Sequence, residues 1–236
     1  YTLRELTEKD MAGVLQKVAA MGFEGVELAG FGNLNADTFA QAVKECGLTV
    51  ISAHIGIDDL LDDLDGCVWW ASVIGTKRLT IPGIHPEDLE EDKIEETASK
   101  VNDLIIKLKF AGISLSYHNH DFEFENGRFD RLMEHCPDLK IELDTYWVKY
   151  AKADPVQIMK KYARRIVLIH LKDMLDKKDL THDDPNPVLM TGKINVKAIL
   201  RQAENANIPW GIVEMDRTEG DSLEDVAASI VNLKKA

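Results

Sequence analysis

Short apolar and β-branched runs alternate with longer amphipathic segments along this chain, and this alternation constrains the fold more than any other feature. A repeated strand–helix unit places its strands in parallel and packs its helices against the sheet. With 236 residues and 45% hydrophobic content, the chain can bury one substantial core. The sequence therefore predicts one domain over residues 1–236, an α/β fold of the (β/α)8 TIM-barrel type. The predicted strands lie at 25–30, 49–56, 77–83, 113–120, 140–147, 166–173 and 210–216.

An eighth strand is needed to close such a barrel. The first six residues, YTLREL, are interpreted as the last part of a strand that begins upstream of Tyr1, so the first strand is expected to be clipped. The main alternative is a doubly wound open sheet. Its usual cofactor motifs, G-x-G-x-x-G and the P-loop, follow none of the predicted strands, which favours the barrel.

The charge and the cysteine content narrow the classes of partner and compartment. A formal net charge of −13 repels phosphate backbones and anionic lipids, so we expect a small-molecule ligand and neither nucleic acid nor a membrane. The 3 cysteines have no Cys-x-x-Cys spacing and fit reduced thiols, which indicates a cytoplasmic protein. No apolar run approaches the ~18 residues of a membrane-spanning helix.

Five ionisable residues lie at or near the C-terminal ends of predicted strands: His118, His120, Asp144, His170 and Glu214. Imidazole nitrogens and carboxylate oxygens are the usual ligands of many divalent cations. The C-terminal strand ends of a β/α barrel meet at one mouth, where the active sites of this fold lie. The sequence therefore predicts a metal-assisted active site. Glu214 and the two histidines of the 113–120 strand are also candidate general bases.

Alternation within the strands indicates which side chains face the barrel interior, because odd and even positions point to opposite sides of a sheet. The inward set includes Glu142 and Lys172, and we weigh two roles for Glu142: an ion pair with Lys172, or a direct part in the chemistry. Lys172 is also a candidate for stabilising a developing oxyanion. Glu27 and His54 end earlier strands on the same face and are expected to bind substrate hydroxyl groups.

Six segments of the chain resemble the sugar isomerase and epimerase barrels related to xylose isomerase, which include inosose dehydratase, tagatose epimerase and hydroxypyruvate isomerase. The resemblance covers essentially the whole chain. Its most specific part is the string HLKD followed later by a strand-borne glutamate. The segments are GFEGVEL, YHNHDFEF, DTYWVKYAKADP, RIVLIHLKDM, VLMTGKINVKAIL and IVEMD.

The resemblance implies a single divalent metal ion, Mn²⁺, Co²⁺, Mg²⁺ or Zn²⁺, held by Glu, Asp, His and Glu from four strands. Asp144, His170 and Glu214 match three of these ligands, and His118 stands where the first glutamate is usual. In the epimerases that glutamate and the last one also form an acid–base pair, so the pair is incomplete here. Trp147 replaces a histidine that touches substrate in many relatives, and its ring is expected to stack on a sugar face.

Together these features predict a metal-dependent sugar isomerase or epimerase that acts through an enediolate on a ketose, keto-sugar or inositol-derived substrate. The alternative is a dehydratase or lyase that eliminates from a 3-keto-sugar or inosose on the same metal site. A sugar-binding barrel or a relative of DNA-repair endonucleases ranks last, because the chain is strongly acidic. A homodimer is expected by analogy with relatives. The candidate catalytic residues are Glu214, His120 and Lys172, and the candidate substrate-binding residues are Glu27, His54, Glu142 and Trp147.

Overall fold

Seven parallel β-strands form the central sheet of the computed structural model, which describes residues 1–30 and 32–236. The strands pair in sequence order, and the sheet curls into a nearly closed barrel with helices between successive strands. All seven predicted strands are confirmed. Their bounds are Gly25–Leu28 (β1), Thr49–His54 (β2), Arg78–Ile81 (β3), Ser114–His118 (β4), Lys140–Asp144 (β5), Ile166–Leu171 (β6) and Gly211–Val213 (β7).

The helices lie between successive strands, and several of them begin or end at capping residues that the sequence supplies. Asn35 begins α2 by accepting a hydrogen bond from the Thr38 N–H, and Gly22 ends α1 with a φ of 88°, which glycine adopts without strain. Within the described residues, no helix combines the length and the apolar character needed to cross a bilayer. The helices are Arg4–Met21 (α1), Ala36–Glu45 (α2), Ile57–Asp62 (α3), Leu64–Ile74 (α4), Ile94–Phe110 (α5), Arg128–His135 (α6), Thr145–Tyr150 (α7), Pro155–Lys161 (α8), Val196–Asn205 (α9) and Ser222–Leu233 (α10), with 3₁₀ turns at Pro86–Leu89 and Phe122–Phe124.

The sheet is open between β7 and β1, the position at which the eighth strand is expected. The interpretation of residues 1–6 as the end of a strand is wrong, because residues 2 and 3 form a turn and α1 begins at Arg4. The Thr7 N–H donates to the Leu3 carbonyl at 2.9 Å, which is a helical hydrogen bond and not a strand ladder. An apolar cavity lined by α1, β1 and β7 lies at this opening.

A layer of hydrogen-bonded polar side chains lines the inside of the sheet. Ser52 Oγ lies 2.8 Å from Thr80 Oγ1, which in turn lies 2.7 Å from Ser116 Oγ. Thr80 also donates to Glu142 Oε2 at 2.8 Å. This polar layer lies directly below the ionisable residues at the strand ends. The alternate residues of the same strands are apolar or aromatic and buried: Ala53, Leu79, Ile81, Leu115, Tyr117, Ile141 and Leu143.

Candidate active site

The C-terminal ends of β5, β6 and β7 bring three of the predicted metal ligands together. Asp144 ends β5, His170 is its register partner in β6, and Glu214 directly follows β7. All three are buried, and one donor atom from each lies within 4.8 Å of the others. Two carboxylates and an imidazole at this spacing fit a divalent cation. We call Asp144, His170 and Glu214 the outer cluster.

A buried lysine lies among the carboxylates of the outer cluster. The Lys172 ammonium is 2.9 Å from Asp144 Oδ2, 2.8 Å from Glu214 Oε2 and 2.8 Å from Asp216 Oδ1. Burial lowers the pKa of Lys172, but the three carboxylates outweigh burial and raise that pKa well above its usual value. Within the described residues Lys172 forms no ion pair with Glu142, so the predicted Glu142–Lys172 ion pair is wrong. The register of β5 and β6 pairs Asp144 with His170, which places Lys172 beyond Asp144 and away from Glu142.

His170 contacts carboxylates through both ring nitrogens. Its Nδ1 lies 2.7 Å from Glu214 Oε2, and its Nε2 lies 2.7 Å from Glu27 Oε2 and 3.0 Å from Glu142 Oε1. Burial lowers the pKa of His170, but these carboxylates outweigh burial and raise it well above its usual value. Burial raises the pKa of Glu214, but Lys172 and His170 outweigh burial and hold that pKa well below its usual value. His170 is therefore the residue that joins two sets of acids.

A second group surrounds Glu142, two residues earlier on β5 and so deeper in the barrel. Glu142 Oε1 lies 2.7 Å from His54 Nε2, 3.2 Å from His118 Nδ1 and 3.0 Å from His170 Nε2. Burial raises the pKa of Glu142, but His170 and His54 outweigh burial and hold it well below its usual value. Burial lowers the pKa of His54, but Glu27 and Glu142 raise it to about 10. We call His54, His118, Glu142 and His170 the inner cluster.

His118 lies closer to the inner cluster than to the outer one. The register of β4 and β5 pairs it with Glu142. Its Nδ1 lies 3.2 Å from Glu142 Oε1, whereas its Nε2 lies 3.8 Å from Asp144 Oδ2. The donor distances group His118 with His54, Glu142 and His170. Its predicted role as the fourth ligand of the outer cluster stays a prediction.

His120 follows β4 and lies above His118, with 5.1 Å between the ring centroids. Among the described residues, its buried Nδ1 atom has no hydrogen-bond partner. Burial and the adjacent His118 lower the pKa of His120 to about 3, so the ring is neutral at physiological pH. A neutral imidazole has one nitrogen that donates and one that accepts a hydrogen bond. His120 is therefore equipped to bind a polar group of a substrate.

Trp147 lies beside the outer cluster because Asp144 also begins α7. Asp144 Oδ1 accepts hydrogen bonds from the N–H groups of Tyr146 and Trp147, at 2.8 and 3.0 Å. The indole ring centroid lies 5.6 Å from the Lys172 ammonium and 5.8 Å from the His120 ring centroid. Within the described part of the chain, the buried indole Nε1 has no hydrogen-bond partner. Stacking of Trp147 on a sugar stays a prediction.

Two acidic residues of the site were not singled out by the sequence patterns. Asp216 lies two residues after Glu214, so alternation along the extended chain places it on the same side, and this signal was available. Glu123 lies in the 3₁₀ turn after β4 and is buried there. Its carboxylate accepts hydrogen bonds from the Tyr117 hydroxyl at 2.6 Å and from the His120 N–H at 2.8 Å. No sequence periodicity points to Glu123.

The Tyr117–Glu123 contact gives a stability prediction with a defined pH dependence. Burial raises the pKa of Glu123 from 4.5 to about 7 in the folded protein, so this group weakens stability as the pH rises from about 4.5 to about 7. The Tyr117 hydroxyl opposes that loss, because it donates to the ionised carboxylate. Tyr117→Phe is therefore expected to lower the free energy of unfolding by about 1–3 kcal/mol, and by more at pH 8 than at pH 5.

Urea unfolding of the wild type and the Tyr117→Phe variant at pH 5 and pH 8 measures this effect. Tyr162→Phe is the matched control, because the Tyr162 hydroxyl also donates to a carboxylate, that of Asp130. Hydrogen bonds from Lys161 and Tyr162 outweigh partial burial and lower the pKa of Asp130 from 3.8, so Asp130 is ionised at both pH values. An equal loss at pH 5 and pH 8 in Tyr117→Phe would contradict the prediction.

A parallel β/α barrel with ionisable residues at the C-terminal ends of its strands defines the class of this protein. The family described as xylose isomerase-like TIM barrel matches residues 15–235. The chain belongs to this family, and the resemblance predicted from the sequence motifs is confirmed. A comparison with curated proteins finds no match.

Solved structures with the same fold cover nearly the whole chain. A sugar phosphate isomerase/epimerase from Parabacteroides distasonis has a TM-score of 0.83 and 22% identity, with 100% of this chain and 96% of that chain covered. The 3-keto-D-glucoside 4-epimerase of E. coli has a TM-score of 0.74 and 15% identity, with 97% and 95% covered. A probable 3-DHS dehydratase involved in petrobactin synthesis in Bacillus anthracis has a TM-score of 0.75 and 14% identity, with 95% and 93% covered. At these identities the likeness concerns the fold.

Proposed function

We propose that this protein is a divalent-metal-dependent isomerase or epimerase of a ketose, keto-sugar or inositol-derived substrate. The observation that carries the proposal is the outer cluster, in which Asp144, His170 and Glu214 offer donor atoms within 4.8 Å of one another. This cluster lies at the C-terminal ends of the strands, where barrels of this kind hold their active sites. The isomerase and epimerase names of two structural neighbours support the same reaction class.

Asp144, His170 and Glu214 would hold the ion. His118, the fourth ligand expected from the sequence, lies nearer to Glu142 than to Asp144. A divalent cation bound there would polarise a substrate carbonyl and would favour loss of the proton on the adjacent carbon, which leads to an enediolate. The ionisable side chains then decide where the proton goes. We assign the removal of that proton to the Glu214 carboxylate, because its low pKa keeps it ionised at neutral pH.

Lys172 and His120 are proposed to contact different oxygen atoms of the substrate. The Lys172 ammonium is fixed by three carboxylates, so it is a preorganised cation for a substrate oxyanion. His120 is neutral and is proposed to exchange a hydrogen bond with a substrate hydroxyl through its unpartnered Nδ1. Return of the proton to the same carbon from the other face gives epimerisation, and return to the neighbouring carbon gives aldose–ketose isomerisation.

Substrate binding is proposed for Glu27, His54 and Trp147. Glu27 Oε1 is buried and has no hydrogen-bond partner among the described residues, which leaves one carboxylate oxygen for a substrate hydroxyl. The case for Glu142 is weaker than the sequence indicates, because this residue is fully buried and both of its oxygens have partners within the protein. We therefore propose that Glu142 positions the histidines around it.

Elimination from a 3-keto-sugar or an inosose is the second candidate function. The observation in its favour is that His118 ends β4 at the position where the resemblance expects the first glutamate of an epimerase pair, with His120 two residues further on. In a lyase the proton also leaves the carbon next to the carbonyl, but a leaving group on the following carbon departs with the electron pair, and a conjugated double bond remains. The dehydratase name of one structural neighbour is consistent with this chemistry.

Hydrogen exchange into substrate tests the proposed function. The metal-loaded protein, incubated in D₂O with ketoses, 3-keto-glycosides and inososes, is expected to replace the hydrogen next to the carbonyl with deuterium, as followed by ¹H NMR. Glu214→Gln is expected to reduce the exchange rate by ~10²–10⁴-fold, the usual contribution of a general base. Glu96→Gln, a surface change on α5 at an exposed ion pair with Lys100, is the matched control and should exchange at the wild-type rate.

The products separate the two candidate reactions. An epimer or isomer without a new ultraviolet band supports the first, and an unsaturated product that absorbs in the near ultraviolet supports the second. Lack of exchange with all three substrate classes, in protein shown to contain metal, would sink both.

A further inference from the structure

Three imidazoles converge on one carboxylate oxygen in the inner cluster. His54 Nε2, His118 Nδ1 and His170 Nε2 lie 2.7, 3.2 and 3.0 Å from Glu142 Oε1. These four atoms come from four different strands and lie within 4.8 Å of one another. Three histidines and one carboxylate form a nitrogen-rich set of four donors, which is the number and type that Zn²⁺ and similar transition-metal ions prefer.

A fifth residue, Glu27, contacts two histidines of the inner cluster through one carboxylate oxygen. Glu27 Oε2 lies 2.7 Å from His170 Nε2 and 3.4 Å from His54 Nε2. Its other oxygen, Oε1, is buried and lacks a hydrogen-bond partner in the described part of the chain. A buried carboxylate oxygen without a partner is costly to maintain unless something else binds it. Glu27 therefore adds a second carboxylate beside His54 and His170, and its Oε1 is the oxygen already proposed for a substrate hydroxyl.

The two clusters differ in their fixed positive charge. In the outer cluster the Lys172 ammonium already contacts two of the carboxylates. In the inner cluster, no lysine or arginine of the described residues forms an ion pair with Glu27 or Glu142. In the described part of the chain, the positive charges in direct contact with these two carboxylates are protons on histidine rings, which a metal ion can replace, and the Arg78 guanidinium interacts with Glu142 and Glu27 without an ion-pair contact.

We propose that the inner cluster is a second divalent metal site, with His54, His118, Glu142 and His170 as its ligands and a preference for Zn²⁺. His170 serves this site through Nε2, whereas Nδ1 faces the outer cluster. The Thr80 hydroxyl donates a hydrogen bond to Glu142 Oε2 and so fixes the orientation of the Glu142 carboxylate, whose Oε1 faces the three histidines. A cation here would order the floor of the pocket beneath the reacting groups.

Zinc retention in an outer-cluster variant tests this site without reference to activity. Asp144→Asn removes one oxygen ligand of the outer cluster and keeps the Oδ1 that begins α7. After zinc loading and desalting, this variant is expected to retain about one zinc ion per chain, with an X-ray absorption spectrum of three imidazole nitrogens and one oxygen at about 2.0–2.2 Å. The double variants with His54→Ala or His54→Gln are expected to lose that ion.

Each outcome bears on the inner site alone. Zinc in Asp144→Asn that disappears in both double variants, with unchanged circular dichroism, supports the proposal. No zinc in a folded Asp144→Asn variant overturns it, and so does equal zinc in the single and double variants. The proposed isomerase function has a separate readout, deuterium exchange by the wild type, so either idea can fail while the other stands.

Discussion

Replacing His170 with alanine is expected to abolish both metal retention and activity, because this ring faces both clusters. Its Nδ1 lies 2.7 Å from Glu214 Oε2 and its Nε2 lies 3.0 Å from Glu142 Oε1. Loss of a residue that only supports a ligand costs ~10–100-fold in metal affinity. Loss of a shared ligand should exceed that range. The variant should therefore contain no detectable divalent metal after desalting and should show no deuterium exchange into substrate.

The same substitution is expected to destabilise the fold. Glu27, Glu142 and Glu214 would remain buried without the imidazole that separates and neutralises them. Removing one partner of a buried ion pair costs about 3–5 kcal/mol of unfolding free energy. Urea unfolding and elemental analysis together measure both effects. His85→Ala is the control, because His85 is exposed and lies outside both clusters. Full metal content in the His170 variant would refute the assigned site.

Much of the fold and part of the site could be predicted from local patterns. Strand positions followed from short β-branched runs between amphipathic segments, and each of the seven was found within its predicted range. Alternation along the strands also predicted that Glu142, Asp144 and His170 face the interior, because the period of a strand is a local property. The clustering of strand ends required only that the strands be parallel.

The partners of each side chain could not be predicted in the same way, because they depend on register. Pairing across β5 and β6 brings Asp144 level with His170 and Glu142 level with Leu168, with a shift between Ile141 and Glu142. Lys172, two positions beyond His170, therefore contacts Asp144 and not Glu142. Sequence alone gives no register between neighbouring parallel strands, so the choice between the two roles of Glu142 was not decidable from it.

Register also explains why the site has two clusters where the sequence predicted one. His118 pairs across the sheet with Glu142, so its ring lies level with the inner group. The resemblance to relatives with a glutamate at this position suggested a ligand of the outer group. Histidine and glutamate differ in length and in the position of their donor atoms, and the deeper carboxylate of Glu142 gives the imidazole a partner at 3.2 Å.

Replacing Lys172 with methionine is expected to destabilise the protein strongly while leaving the packing volume nearly unchanged. The ammonium lies within 2.9 Å of oxygens on Asp144, Glu214 and Asp216, so its removal leaves three neighbouring acids without a counter-charge. The expected loss is about 3–5 kcal/mol of unfolding free energy near pH 7, measured by urea unfolding. The loss should be smaller at pH 5, because protonation of the stranded carboxylates relieves their repulsion.

Added Zn²⁺ provides the sharper test of Lys172→Met, because a cation in the outer cluster can replace the missing positive charge. The free energy gained from the metal should be larger in the variant than in the wild type, since the ion no longer competes with an ammonium. Adding Asp216→Asn to the variant should recover part of the stability by removing one of the stranded charges. Lys100→Met, at an exposed ion pair with Glu96, is the matched control and should change neither stability nor the response to zinc. If Lys172→Met unfolds at the same urea concentration as Lys100→Met, the ammonium does not hold the outer carboxylates together.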